Sequence, residues 1–67
     1  MDIGSTIKKL RKLERLSQEE LAKELGIVQN TLSRYENNIV QPSLEALVRM
    51  ADFFGVSTDY ILGRTDR

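Results

Sequence analysis

The chain of 67 residues contains no cysteine and no histidine. Without cysteine there are no disulfides or thiolate metal sites, and without histidine the commonest metal ligand and the usual general base are missing. No apolar run is long enough to span a bilayer, and the N-terminus has no apolar stretch followed by a small-residue cleavage site. The expectation is a cytoplasmic protein with no metal, cofactor, membrane or small-molecule partner. An enzyme is not expected either. A catalytic site needs a cleft, a chain this short has little volume for one, and its Ser and Asp residues are accounted for as caps and surface. One domain, 1–67, is the reasonable count, and at this size helix packing must supply most of the stability.

An excess of either charge is also lacking: ten Lys and Arg balance ten Asp and Glu, which weakens any argument from a basic domain to nucleic acid. The distribution is uneven. Five cations (Lys8, Lys9, Arg11, Lys12, Arg15) and one acid, Glu14, fall between positions 8 and 15, whereas from 38 onward four acids face three cations. Alone, such a run is a solvated helix face.

What is present is helical periodicity without strand-like alternation. Ile3, Ile7, Leu10 and Leu13 mark a first helix over about 5–14. Ser17 with Glu20 forms a capping box before a second, Gln18–Leu25, which Gly26 ends. Val28, Leu32 and Tyr35 form the buried stripe of a third, stopped by Asn37 and Asn38. After a loop over 39–42, Ser43 caps a fourth helix with Leu44, Leu47, Val48, Ala51 and Phe54 on its apolar face, closed by Gly55. Ser57 caps a short fifth carrying Tyr60, Ile61 and Leu62, and 64–67 are expected to fray. The expected core contains Leu21, Leu25, Ile27, Leu32, Leu47, Val48 and Ala51.

Positions 18–37 are the informative stretch. Two short helices joined by about one residue of turn must cross steeply, as in a helix-turn-helix. Gly26 supplies the turn and Ala22 the close approach, while Leu21, Leu25, Ile27, Leu32 and Tyr35 give the apolar inner faces. The outward face of the third helix is Gln29, Asn30, Ser33, Arg34 and Asn37, without a carboxylate, and Glu36 lies beside that stripe. A surface entering a groove walled by phosphates must exclude negative charge. It must also carry groups that read base edges, as Gln and Asn do for adenine and Arg for guanine. Gln18, at a helix start, is placed for a phosphate, and Glu19 is expected to pair with Lys23.

The segments LRKLERLSQEELAKELGIVQNTLSRYENN and QPSLEALVRMADFFGVSTDYILGR resemble the lambda-repressor-like, Cro/C1-type helix-turn-helix family, with the phage Xre-like repressors as the nearest group. The resemblance runs over 7–63 and implies an all-α, compact five-helix domain. It also implies sequence-specific binding of double-stranded DNA by a bacterial or phage-encoded transcriptional regulator, expected to be a repressor. Gln29, Asn30, Ser33 and Arg34 match base-contacting positions, with Gln18 bracing Gln29. Ser17, Gln18, Asn37, Asn38 and Arg11 are the expected phosphate contacts, and Arg11 with Glu36 matches a structural ion pair. Val28 and Arg15 depart from the pattern, standing where many members carry a capping Ser or Thr and a helix-ending Gly. A single reading helix covers few base pairs, so a weak homodimer on an inverted-repeat operator is expected, through Val56, Tyr60, Ile61 and Leu62. The alternatives are a protein-interaction module such as an antitoxin, or the DNA-binding fragment of a larger sensor-repressor.

Overall fold

The computed structural model describes residues 2–65. Among them are five helices and no strand: α1 (Ile3–Leu13), α2 (Gln18–Leu25), α3 (Gln29–Glu36), α4 (Leu44–Phe54) and α5 (Thr58–Ile61). Local chemistry sets the starts. The side chains of Asp2, Ser17, Ser43 and Ser57 each accept a backbone N–H three residues on, at the heads of α1, α2, α4 and α5, satisfying donors the helix itself leaves open. Asp2 is why α1 begins before the expected position 5. Only α3 starts without such a cap, at Val28.

The helices end alike. A left-handed residue follows the last turn, and the N–H after it reaches back to a carbonyl of that turn: Leu16 to Arg11 at 3.1 Å, Ile27 to Ala22 at 3.0 Å, Ile39 to Arg34 at 2.9 Å, Val56 to Ala51 at 3.0 Å and Arg64 to Asp59 at 2.8 Å. At two of these ends the left-handed residue is not glycine. Arg15 and Asn38 both have φ 59°, a conformation disfavoured for a residue with a Cβ and tolerated best by Asn. Arg64 is thus tied back to α5, while positions 66 and 67 of the expected frayed tail lie outside the described residues.

α1 and α2 lie against α3, α4 packs on α2 and α5, and α5 returns to α1. The core holds Ile7, Leu10, Leu21, Ala22, Leu25, Leu32, Tyr35, Ala46, Leu47, Met50, Ala51 and Ile61. Five expected burials are corrected. The buried stripe of α4 is Ala46, Leu47, Met50 and Ala51, which turns Val48 (42 % exposed) and Leu44 (77 %) outward. Val28, expected within the α3 stripe, is 67 % exposed, because the chain is still extended there, before the first helical turn. Leu13 is likewise exposed and Ile27 only half-buried.

α1 approaches α3 most closely at Gly4. A Cβ there would clash with the backbone oxygen of Glu36 and lie 2.6 Å from that of Tyr35, so only glycine lets the start of α1 rest on the end of α3.

Candidate nucleic-acid interface

Glu36 is the sole carboxylate of α3, and its side chain is 1 % exposed. Arg11 Nε donates to its Oε2 at 2.7 Å and Arg11 Nη2 to its Oε1 at 3.1 Å, a two-point contact that fixes geometry as well as charge. Gln18 Nε2, from the first turn of α2, donates to the same Oε1 at 3.1 Å. Arg11 Nη1 donates to the Leu16 carbonyl at 2.8 Å, pinning the loop after α1. No buried polar side-chain atom among the described residues lacks a partner. One carboxylate therefore joins α1, α2 and α3, and it is removed from the outer face.

That outer face carries Gln29, Asn30, Arg34 and Asn37 exposed, with Ser33 half-buried. The Asn37 amide donates to the Ser33 carbonyl at 2.9 Å and to Ser33 Oγ at 3.3 Å, so it closes the end of α3 from the same side. Ser17 Oγ accepts from Glu20 N at 3.0 Å while Ser17 N donates to Glu20 Oε1 at 2.8 Å. The Ser17 backbone N–H first, and then the Ser17 hydroxyl beside it, hold the Glu20 carboxyl below its ordinary range. Lys8, Lys9, Lys12 and Arg15 are exposed along α1 and its end.

Four expected contacts are altered by this geometry. Arg11, expected to meet a phosphate, is turned to the protein instead: its side chain is 10 % exposed and each of its three nitrogens donates to a protein acceptor. Asn38 is also committed: its Oδ1 accepts from Gly4 N at 3.0 Å and its Nδ2 donates to Asp2 Oδ1 at 2.7 Å, and the adjoining carboxylate repels a phosphate. Gln18 braces Glu36 rather than Gln29. No ion pair joins Glu19 to Lys23; among the described residues the exposed pairs are Arg49 with Glu45 and Arg64 with Asp59, at 3.8 and 4.0 Å.

Of the expected dimer set, Ile61 is fully buried and belongs to the core, while Val56, Tyr60 and Leu62 are half-buried against it. Two contributions escaped the sequence reading. Gly4 had a signal, a glycine inside a helix where alanine is favoured. Arg49, whose Nη1 donates to the Leu25 carbonyl at 3.1 Å and so ties α4 to the end of α2, had none, since nothing local marks that long-range bond. No helix among the described residues is long and apolar enough to cross a membrane, and no cluster of acidic side chains there could hold a metal ion.

The helix-turn-helix family profile matches residues 7–61. The HTH-type transcriptional regulator ImmR of Bacillus subtilis is 35 % identical over 66 residues, which is 98 % of this chain and 52 % of that protein. The chain therefore spans about half the length of that relative. Among solved structures, the P22 c2 repressor in complex with the synthetic operator 9T superposes with a TM-score of 0.90 at 26 % identity, covering 97 % of this chain and 98 % of the other. Bacillus subtilis SinR in complex with DNA superposes with a TM-score of 0.82 at 34 % identity, covering 90 % and 97 %. With α2 packed on α3, its left-handed turn at Gly26 and these matches across nearly its whole length, the chain belongs to the Cro/C1-type helix-turn-helix family.

Proposed function

We propose that this chain is the sequence-specific, double-stranded DNA-binding domain of a transcriptional repressor, a single domain over 1–67 with its reading unit at 18–37. One observation carries the reading. The outward face of α3 offers amide, hydroxyl and guanidinium groups but no carboxylate, because the helix's own acid is buried beneath Arg11 and Gln18. With α3 in the major groove, Gln29, Asn30, Ser33 and Arg34 meet base edges. Gln18 and Asn37, with the hydroxyl of Ser17, lie along the backbone and hold the register without reading sequence. The relatives with DNA in their structures support this orientation.

The protein acts as a weak homodimer on an inverted repeat, two copies of α3 being placed about 34 Å apart. The surface for this is Val56, Tyr60 and Leu62, which retain partial exposure. Selection from random duplexes gives the operator, and footprinting on it should show two half-sites. A single half-site bound by one protein would rule the dimer out. The reading role is tested by Gln29→Ala, which should cost about 1–3 kcal/mol on the operator and almost nothing on scrambled duplex. Equal loss on both would refute the assignment of α3 as the reading helix.

A further inference from the structure

Val28 differs from the residues that begin the other four helices. Each of those closes its helix with a side-chain oxygen, whereas Val28 offers none. Its backbone is extended, at φ −79° and ψ 151°, and its side chain is 67 % exposed. A lone exposed valine is ordinary on a protein surface, so the weight here falls on where it stands. Val28, Gln29 and Asn30 form one uninterrupted exposed run at the leading end of α3, the end of a recognition helix that approaches base edges. An isopropyl group there cannot hydrogen-bond a phosphate, a sugar or a base. It can only exclude water from something apolar. Apart from the base-ring carbons, the major groove presents one such group, the C5-methyl of thymine.

We propose that Val28 is a specificity-determining residue that packs on the C5-methyl of a thymine beside the base pair read by Gln29. The inference rests on α3 being the reading helix. A hydroxyl-bearing residue at this position would close the helix start but would present a polar group to that methyl. Valine gives up the closure and gains an apolar contact that a cytosine in the same place, lacking the methyl, does not repay.

The test replaces each operator thymine in turn with deoxyuridine, which removes only the methyl group. The wild-type protein should lose affinity about fourfold per half-site at one thymine adjacent to the Gln29-dependent pair, the value of one methyl group taken out of water. Val28→Ser should lose that sensitivity and keep any other. Its folded domain should be no less stable, since serine supplies the missing helix-start bond, so weaker binding cannot be put down to unfolding. Val28→Thr, which keeps one methyl, should retain part of the discrimination. The proposal is overturned if the operator has no thymine beside that pair, if no methyl removal there matters, or if Val28→Ser responds to deoxyuridine as the wild type does. Should any of these occur while Gln29→Ala still separates operator from scrambled duplex, Val28 alone is refuted. Should Gln29→Ala fail as well, the reading role of α3 falls with it.

Discussion

Gln18 and Glu36, in the first turn of α2 and the last residue of α3, are joined by a hydrogen bond of 3.1 Å to the carboxylate oxygen that also receives Arg11 Nη2. The two helices of the motif are therefore tied at their far ends as well as at the turn between them. Gln18 is positioned by a group that never faces solvent.

Breaking one side of this cluster should cost far more than removing both. Arg11→Met leaves a carboxylate buried without its cation, and Glu36→Leu leaves a buried guanidinium; each should cost about 3–5 kcal/mol. The double variant should cost much less than the sum, since two apolar side chains replace two compensated charges. Urea unfolding of the four proteins measures the coupling, and strictly additive costs would show that the pair contributes nothing jointly.

Gly4→Ala should destabilise the domain by about 1–3 kcal/mol through overpacking, although alanine is the better helix former by about 1 kcal/mol. The sign is the informative part. A Cβ at this position meets backbone oxygens of Tyr35 and Glu36, which cannot rotate aside as a side chain would. A stabilised Gly4→Ala protein would mean that α1 does not rest on the end of α3.

Asp2 gives a pH signature. Its carboxylate accepts from Ser5 N and Ser5 Oγ at 2.9 and 2.7 Å and from Asn38 Nδ2 at 2.7 Å, which, backbone bond first, lowers its pKa from 3.8 to about 2. A group whose folded pKa is depressed contributes stability above its unfolded value, and that stability disappears as pH falls through the folded value. The difference in melting temperature between wild type and Asp2→Ala should thus be constant above about pH 5. It should shrink as pH falls from the unfolded value of 3.8 towards about 2. A difference unchanged across that window would refute the clamp.

Arg15→Gly should stabilise the domain by about 0.5–1 kcal/mol, relief of the left-handed strain exceeding the extra chain entropy of glycine. The left-handed φ of 59° at Arg15 and the Leu16 to Arg11 bond that depends on it predict this direction. Thermal unfolding of the variant measures it, and a lowered melting temperature would mean that the arginine side chain contributes contacts beyond its backbone.

Much of the fold was legible because its punctuation is local. Ser17 with Glu20, Ser43, Gly26 and Gly55 each act within four residues of their own position, so the bounds of α2 and the number of helices follow from the sequence. Burial was legible only where a stripe is broad. In α4 two turns of helix offer several apolar residues, Leu44, Leu47, Val48 and Ala51 among them, and the choice of face is made by α2 and α5, which periodicity does not encode. The same limit applies to the site. A polar outer face on α3 can be read from spacing, but that Asn38 serves Asp2 and Gly4 across 34–36 positions of chain depends on where α1 comes to lie.

The burial of Glu36 bears on attempts to move the motif elsewhere. A peptide of positions 18–37 grafted onto another scaffold would carry the reading side chains, yet it would leave Arg11 behind. Its one reading-helix acid would then stand uncompensated near a polyanion, with only Gln18 to hold it. The portable unit of recognition is thus larger than the two helices that name the motif: it includes a cation contributed by α1, seven residues before α2 begins.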